Sequence, residues 1–321
     1  MTVIGEALID LVPRGDPGDY TAHPGGSPFN VSVALARLGN RTALMARLAD
    51  HGFGRLLRDA AAAEHVDLTA TADADEPTTL AVVSLDRPGH ATYDFYLKGT
   101  ADWQWTLPEL RRLPRESGIV HYGSIASWTP PGSKLIDQIV FEARRAGDVL
   151  VTYDPNIRPP VLGTAARGRQ RVERSVRRAH VVKASREDLE WLYPALTTDE
   201  IAARWTELGV TLVVVTDGAA GAIAYRTGAP PLRRPGRAVK VVDTIGAGDA
   251  FTAGFLNGLV RRGSHSPDAV AAMPEAEMVD VVDEAVLISS LTCERAGADP
   301  PRLANGHSNG HRLTVEDFSS S

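Results

Sequence analysis

The sequence predicts an α/β protein with a mostly parallel central sheet, and two observations support this fold class. Short β-branched runs at residues 149–153, 179–183 and 211–215 each follow a polar or Ala-rich segment of helical length. Apolar strands that alternate with helices are typical of a parallel sheet buried on both faces. The chain has 321 residues, of which 43% are hydrophobic, and can bury a large core. We expect one core domain over residues 1–303.

Two helices are predicted to begin beside glycine-rich turns. The first covers residues 30–38, where apolar side chains recur on one face and a glycine follows. In the second, Phe251, Phe255 and Leu259 recur at a spacing of four, and Gly263 follows as a stop signal.

A hairpin centred on Pro88-Gly89 interrupts this alternation, since that dipeptide suits a type II turn between two strand-like runs. Tyr96 lies on the polar side of the second run, which we predict to close over a polar ligand. We therefore expect a small β lid built from residues 8–24 and 78–102. Residues 304–321 have little apolar content and predict a mobile C-terminal tail.

Composition excludes several classes of partner. The net charge of −6 and the pI near 5.9 provide no general attraction to nucleic acid or to an anionic membrane. Cys293 is the only cysteine, which excludes an internal disulfide and suits a reducing cytoplasm. The sequence also shows no signal peptide and no long apolar run. We expect a cytoplasmic protein that binds small molecules.

The segment Gly246-Ala247-Gly248-Asp249 is the strongest chemical signal. Small residues at a helix start let a phosphate approach free N–H groups at the positive end of the helix dipole. Asp249 then stands where a hydroxyl would meet that phosphate. The alternative is a tight turn followed by an ordinary early-helix acid. The sequence has no Walker A motif, no dinucleotide-binding GxGxxG and no GxSxG elbow.

Two segments together closely resemble the signatures of the PfkB, or ribokinase-like, family of carbohydrate kinases. They are residues 25–39, which begin Gly25-Gly26-Ser27-Pro28-Phe29-Asn30, and residues 243–254. Further matching blocks, in the family's order, are Gly5-Glu6 through Asp10, Asp154-Pro155-Asn156-Ile157-Arg158, Val215-Thr216-Asp217-Gly218 and Cys293-Glu294-Arg295-Ala296-Gly297-Ala298. The resemblance implies a three-layer α/β/α core, with a sugar held between the core and the lid.

The resemblance also implies the catalytic roles. The backbone N–H groups of Gly246, Ala247 and Gly248 would form an anion hole for the transferring phosphoryl group, and Asp249 would be the base that faces the sugar hydroxyl. A loose phosphoryl-transfer transition state spreads charge over its equatorial oxygens, so preorganised donors suit it. The helix dipole favours the ionised form of a carboxylate at this position.

The sugar site implied by this match draws on residues from both lid segments and from the core. They are Asp10, Gly25, Gly26, Asn30, Tyr96 and Arg158. Four of them have simpler alternatives: a solvated strand end for Asp10, a helix N-cap for Asn30, an exposed edge aromatic for Tyr96 and a surface cation for Arg158.

ATP contacts are implied after two of the predicted strands and at the anion hole. They are Lys183, Ser185, Thr216, Gly218, Gly221, Gly246 and Gly248. Ligands of open α/β sheets bind beyond the carboxyl ends of strands, which independently supports this placement. Two simpler alternatives are a surface lysine for Lys183 and a plain turn for residues 216–221.

The metal sites rest on weaker matches. Ser185 and Asp188 align with a family segment usually written NxxE, which helps to organise Mg²⁺, and this chain departs from it at both positions. We expect Asp188 to hold Mg²⁺ through water, with Glu187 as a rival. Asp243 and the carbonyls around Gly297 resemble a monovalent cation site of the K⁺ type.

The predicted function is an ATP-dependent, Mg²⁺-requiring sugar kinase that acts on a primary hydroxyl, most similar to fructokinases. Leu97 stands where fructokinase relatives often carry arginine. A 2-keto-3-deoxygluconate kinase is the alternative, because Arg158 or Lys98 can pair with a carboxylate. A non-catalytic sugar- or nucleotide-binding regulator stays open, whereas an NAD-dependent dehydrogenase lacks its fingerprint. We also expect a homodimer through the exposed face of the lid.

Overall fold

In the computed structural model, the structure describes residues 1–16, 18–87, 90–114, 116–303 and 312–313. The strands are β1 (Thr2–Ile4), β2 (Leu8–Pro13), β3 (Tyr20–Gly25), β4 (Ala43–Met45), β5 (Arg47–Ala49), β6 (Ala72–Ala74), β7 (Leu80–Arg87), β8 (His90–Tyr96), β9 (Ile119–Gly123), β10 (Leu150–Asp154), β11 (Val181–Ser185), β12 (Leu212–Thr216), β13 (Ala222–Arg226), β14 (Leu232–Arg234), β15 (Arg302–Leu303) and β16 (Arg312–Leu313). The α-helices are α1 (Ser27–Arg37), α2 (Gly52–Ala63), α3 (Leu107–Leu110), α4 (Gly132–Ala146), α5 (Pro159–Leu162), α6 (Ala165–Val176), α7 (Arg186–Leu192), α8 (Thr198–Glu207), α9 (Ala247–Arg261), α10 (Pro267–Ala272) and α11 (Glu275–Cys293).

The central sheet has eight strands in the order β14-β13-β12-β11-β10-β9-β1-β4. The strands from β12 to β4 are parallel, and β13 and β14 each run antiparallel to their neighbour. β10, β11 and β12 are the strands predicted from the β-branched runs, and nearly all their residues are buried. The predicted α/β class with a mostly parallel sheet is confirmed.

The sheet separates two apolar cores, which makes the fold three-layered. Alternate residues of β12 contribute to opposite cores, with Val213 and Val215 in one and Leu212 and Val214 in the other. Helices α4, α6, α7 and α8 cover the first core, and α1, α9 and α11 cover the second. This burial on both faces explains why the strands read as continuous apolar runs rather than alternating ones.

A second sheet of four strands, in the order β3-β2-β7-β8, occupies the region predicted as a lid. β2 pairs antiparallel with β3 and parallel with β7, and β7 pairs antiparallel with β8. Ile9 of this sheet packs with Phe29 of α1 and Leu57 of α2 in a third apolar cluster. The predicted turn at Pro88-Gly89 lies outside the described residues.

Both helices beside the glycine-rich turns begin at a glycine N-cap. Helix α1 starts three residues earlier than the predicted residue 30, because Gly26 (φ 96°) is its N-cap and Pro28 occupies its first turn. Asn30 is therefore inside the helix, and the N-cap alternative for it is wrong. Helix α9 follows Gly246 (φ 75°) and ends at Arg261, before Gly263 (φ 69°). This agrees with the predicted stop signal.

Most of the predicted mobile tail, residues 304–321, lies outside the described residues. Its described part is β16, which pairs in parallel with β15.

Among the described helices, none has the length and apolar content that crossing a membrane requires.

Candidate active site

A cleft of about 320 Å³ separates the lid sheet from the carboxyl ends of the central strands. Residues from β2, β8, the start of α1, the turns after β9 and β10, and the start of α9 line it. The residues predicted for the site that line this cleft are Asp10, Gly26, Asn30, Arg158, Gly246, Gly248 and Asp249. The fold thus brings together segments that are more than 200 residues apart in the sequence.

Asp249 is held by two side chains from the first turn of α1. Ser27 Oγ donates to Asp249 Oδ1 at 2.6 Å, and Asn30 Nδ2 donates to Asp249 Oδ2 at 2.8 Å. Burial raises the pKa of the Asp249 carboxyl, while these two donors and the charge of Lys183 lower it. The acid is thus fixed in orientation and is more basic than an ordinary aspartate. Ser27 was not predicted, because nothing in the local sequence links residues 27 and 249.

The predicted anion hole lies at the N-terminus of α9. A Cβ on Gly246 would lie 2.6 Å from the Cβ of Ala298, so the positive φ and the packing both require glycine there. The amide of Ala247 donates to Thr244 O at 3.2 Å. The amide of Gly248 lies in the first turn, where N–H groups have no intrahelical acceptor. An anion can therefore approach the backbone at this end of the cleft.

Lys183 lies beneath the anion hole and is buried, so the surface-lysine alternative is wrong. Its Nζ would be 3.2 Å from a Cβ placed on Gly248, and it pairs with Asp154 Oδ2 at 2.9 Å. Burial alone would lower the pKa of Lys183, but the Asp154 carboxylate outweighs burial and the pKa is raised. A buried, protonated ammonium group thus supports the hole from below. Asp154 belongs to one of the segments that resemble the family, residues 154–158, but its role was not predicted.

Asp10 and Gly25 belong together on neighbouring strands of the lid. A Cβ on Gly25 would lie 2.0 Å from Asp10 Oδ2, so only glycine leaves room for this carboxylate. Burial raises the pKa of Asp10 to about 6, while the Arg158 guanidinium lowers it and the charge of Asp249 raises it further. Arg158 donates from Nη1 to Ile157 O at 2.9 Å and lines the cleft. Neither Asp10 nor Arg158 is the simple solvated group of the alternative readings.

Tyr96 lies on the opposite side of β8 from the cleft. It is 61% exposed, whereas Tyr93 and Phe95 line the cleft. The alternation in this strand was predicted correctly, but the face that closes over the site is the aromatic one and not the polar one. Sequence alternation defines two faces without saying which faces the core. The exposed-edge alternative describes the position of Tyr96 better.

Of the residues predicted for the nucleotide, Ser185 and Thr216 end β11 and β12, and Gly218 and Gly221 lie in the turn after β12. Both glycines have positive φ. A Cβ on Gly221 would lie 2.2 Å from Arg234 O. The tight turn is therefore required by the backbone, and its residues lie outside the lining of the main cleft.

Ser185 and Asp188 form a capping box at the start of α7. The hydroxyl of Ser185 accepts from Asp188 N at 3.1 Å, and Asp188 Oδ2 accepts from Ser185 N at 3.1 Å. Asp188 Oδ1 accepts from Ile157 N at 2.9 Å. Burial, followed by the charge of Asp154, raises the pKa of Asp188. The Ser185 side chain also hydrogen-bonds to this carboxyl group, so three protein donors leave about one acceptor position for a water that could hold an ion. Glu187 is exposed.

Asp243 joins two segments behind the anion hole. Its Oδ1 accepts from Ile245 N at 3.0 Å and its Oδ2 accepts from Gly297 N at 2.8 Å. The backbone amides of Val242 and Asp243 also donate to Cys293 O, at 2.8 Å and 3.2 Å. Among the described residues, no cluster of three or more His, Cys, Asp or Glu is arranged to hold a metal ion. An ion at this end would therefore depend on backbone carbonyls or on phosphates.

Comparison with known proteins identifies the family to which the chain belongs. Residues 1–304 match the model of the pfkB family of carbohydrate kinases. The chain belongs to this family. It is a carbohydrate kinase, and the predicted ribokinase-like relationship is confirmed.

Its relatives within this family include fructokinases. The chain is 36% identical over 275 residues to a fructokinase of Rhizobium leguminosarum bv. trifolii, covering 84% of this chain and 83% of the relative. Among solved structures, it is similar to a Vibrio cholerae O395 fructokinase double mutant bound to fructose, ADP and potassium ion. That similarity has a TM-score of 0.80, 32% identity, and coverage of 92% and 93%. A Xylella fastidiosa fructokinase with bound ATP has a TM-score of 0.86, 25% identity, and coverage of 100% and 97%.

Proposed function

We propose that this carbohydrate kinase is an ATP-dependent fructokinase, in which Asp249 is the base and the N-terminus of α9 is the anion hole. The observation that carries the proposal is the position of Asp249, which Ser27 and Asn30 hold at the junction of the cleft and the helix start. The similarity to fructokinases supports fructose as the substrate. Leu97 does not line the cleft.

In the proposed reaction, a primary hydroxyl of the sugar attacks the γ-phosphorus of ATP. The Asp249 carboxylate accepts the hydroxyl proton while the new O–P bond forms and the bond to the ADP oxygen breaks. The amides at Gly246 to Gly248 and the ammonium of Lys183 stabilise the charge of the phosphoryl group. Asp10, Gly26, Asn30 and Arg158 position the sugar on the lid side.

The nucleotide is proposed to lie over the turns that contain Ser185, Thr216, Gly218 and Gly221, beyond the carboxyl ends of β11 and β12. Asp188 would hold Mg²⁺ through water, and this ion supplies charge neutralisation to the phosphates when bound. Potassium, if required, would use backbone carbonyls near Gly297, because Asp243 already accepts two amides.

Replacing Asp249 by Asn tests the catalytic assignment. Asn keeps the shape of the group and removes the proton acceptor, so we expect turnover to fall roughly 10²- to 10⁴-fold. Sugar and ATP should still bind, because binding and proton acceptance are separable. ADP release measures turnover, and calorimetry measures binding. Near-normal turnover of the variant would overturn the assigned role.

A substrate panel tests the choice of sugar. ADP release is compared for fructose, ribose, tagatose phosphate, nucleosides and 2-keto-3-deoxygluconate, with and without potassium. We expect the highest kcat/KM with fructose. A clear preference for another acceptor would contradict the fructokinase proposal while leaving the kinase class intact.

A 2-keto-3-deoxygluconate kinase is the second candidate, because Arg158 is the one cation among the described residues that line the cleft. A guanidinium at this position can pair with a substrate carboxylate. If the acid is the substrate, Arg158→Met should raise its KM far more than the KM for fructose. Equal effects on both sugars would remove this candidate.

We further propose a homodimer through the lid. Strands β3 and β8 form the edges of the four-stranded sheet, and Tyr20 and Tyr96 on them are 44% and 61% exposed. Exposed sheet edges and aromatic side chains favour association. Light scattering tests this proposal, and a monomer at working concentration would reject it.

A further inference from the structure

Glu6 is a buried acid in the wall of the sugar cleft whose chemistry the proposed reaction does not use. It lies in the connection from β1 to β2, is 1% exposed and lines the cleft. The amide of Ala126 donates to its Oε2 at 3.0 Å, and the Ser124 hydroxyl also hydrogen-bonds to the carboxyl group. Ser124 itself has a φ of 52°, which is uncommon for a residue other than glycine.

Glu6 lies close to the residues that hold the proposed base, Asp249. A Cβ on Gly26 would lie 2.9 Å from Glu6 O and 3.3 Å from Glu6 Cγ. Gly26 is the N-cap of α1, and the next residue, Ser27, donates to Asp249. A sugar that presents one hydroxyl to Asp249 therefore has another part of its ring near Glu6.

Burying an acid here is costly unless hydrogen-bond donors reach it. Burial raises the pKa of Glu6 to about 7, the hydrogen bonds from Ser124 and Ala126 lower it, and the charge of Asp102 raises it. A carboxylate offers about four acceptor positions, and the three protein donors, which are the Ser124 hydroxyl and the amides of Ala126 and of Glu6 itself, leave about one of them for a ligand. The hydroxyls of a sugar are the donors that a closed cleft can supply.

Asp102 provides a natural comparison. It is also 1% exposed, and burial raises its pKa to about 6. It accepts from Ala7 N at 2.9 Å and from the Thr79 hydroxyl, and it does not line the cleft. Asp102 links the segments of Ala7 and Thr79, which lead into the lid strands β2 and β7, whereas Glu6 faces the cleft.

We propose that Glu6 is a further sugar-binding residue, which accepts a hydrogen bond from a substrate hydroxyl other than the one that is phosphorylated. This inference rests on the proposed sugar kinase reaction. Glu6 helps to recognise the acceptor sugar and takes no part in the transfer of the proton from the reacting hydroxyl.

The test compares Glu6→Gln with the wild-type enzyme, using whichever sugar the wild type phosphorylates best. Because the Ala126 amide requires the oxygen at the Oε2 position, the amide nitrogen of Gln takes the other position and replaces an acceptor with a donor. We expect the KM for the sugar to rise roughly 10- to 100-fold, with the KM for ATP unchanged. An unchanged sugar KM, or equal rises in both KM values, would overturn the proposal.

The pH profile separates a contact with the sugar from a purely structural role. The charged groups that face Glu6 or share its cleft are Asp102, Asp10, Arg158 and Asp249. In the wild type, the sugar KM should rise as the pH falls through about 7, and Glu6→Gln should lose this dependence. Asp102→Asn, the matched control, should keep this dependence, displaced to lower pH because the Asp102 charge no longer raises the pKa of Glu6. Loss of the dependence in both variants would indicate a structural effect and contradict the proposal.

Calorimetry on the unmodified enzyme provides a measurement that does not depend on folding of the variants. If the ionised form of Glu6 accepts a sugar hydroxyl, sugar binding near pH 7 releases protons, which binding enthalpies in buffers of different ionisation enthalpy reveal. Binding without proton release near pH 7 would overturn the inference. A chain that phosphorylates no sugar at all would instead refute the proposed function.

Discussion

The Asp249 carboxylate receives hydrogen bonds from two side chains within one turn of α1, and each holds a different oxygen. The oxygen pair is thereby fixed in rotation, and in the proposed reaction this preorganises a lone pair for the substrate hydroxyl. Burial makes the group more basic, and the donors restrain that effect. At the scale of single residues, burial increases the basicity of Asp249, and its two donors keep a larger fraction of it ionised.

Replacing Ser27 by Ala should disturb this balance. Loss of its hydrogen bond raises the pKa of Asp249 further, because a donor to the ionised form has been removed. As the proposed base, Asp249 acts when it is ionised, so the acidic limb of the kcat profile should move to higher pH. At neutral pH we expect kcat to fall roughly 3- to 10-fold. A pH profile of ADP release measures the shift.

Ser32→Ala is the matched control for this prediction. Ser32 lies on the same helix, and its hydroxyl donates to Phe29 O at 2.7 Å. Its removal should leave the acidic limb in place. A Ser27→Ala profile identical to that of Ser32→Ala would mean that Ser27 does not tune Asp249.

At the scale of elements, β10 and β11 bring a buried ion pair beneath the start of α9. Asp154 ends β10, and Lys183 lies within β11 and faces Gly248. Thr252 of α9 donates to Asp154 Oδ2 at 3.5 Å and to Gly248 O at 3.1 Å. The strands and the helix are thus coupled through one polar cluster, and the charge below the anion hole depends on their packing.

The contribution of this pair to stability can be separated from its contribution to activity by comparing a single and a double variant. Asp154→Asn leaves Lys183 buried without its counter-charge, and we expect the free energy of unfolding to fall by about 3–5 kcal/mol. The double variant Asp154→Asn/Lys183→Met should recover much of that stability, since the buried ammonium group that lost its partner is then gone as well. Its turnover should stay low because the ammonium group is gone. Urea denaturation and ADP release measure the two effects.

The exposed pair of Arg233 and Asp199 provides the control. Its atoms lie 3.5 Å apart, and its side chains are 60% and 61% exposed. Arg233→Ala should change the free energy of unfolding by about 1 kcal/mol or less. If Asp154→Asn and Arg233→Ala lower the free energy of unfolding by similar amounts, the burial of the Asp154–Lys183 pair does not increase its contribution to stability.

Elements defined by local pattern were predictable from the sequence, whereas their contacts were not. β10 to β12 and α9 follow from apolar runs, four-residue spacing and flanking glycines. The start of α1 was predicted three residues too late, because the glycine N-cap and early proline were read as loop. The contacts of Ser27 with Asp249 and the burial of Lys183 depend on tertiary packing, which one sequence does not reveal. The motifs still identified the residues that meet in the cleft.

At the scale of the whole molecule, buried acids and buried histidines oppose each other in their response to pH. Burial raises the pKa of Glu6 to about 7, and of Asp10 and Asp102 to about 6. Burial also lowers the pKa of His121 and His180 to about 4. On acidification the folded state takes up protons on the acids before the unfolded state does, and the histidines behave in the opposite way.

Glu6 should stabilise the folded state increasingly as the pH falls from about 8 to 6.5, because its raised pKa lies in this range. The two histidines oppose this gain over the same range, since the unfolded state, with the ordinary imidazole pKa of 6.5, binds protons that the buried imidazoles do not. Melting temperatures of the wild type and of Glu6→Gln test the prediction, and the melting temperature of the variant relative to that of the wild type should fall as the pH falls. A difference between the two that does not change with pH above 6.5 would contradict it.

The contacts of residues 242–246 with residues 293–298 also fix the order in which the site is completed during synthesis. The lid strands and α1 leave the ribosome early, whereas the turn at Gly246 packs on Ala298 and Asp243 is held by the amide of Gly297. The wall behind the proposed anion hole is therefore complete only once residues 297 and 298 have been synthesised.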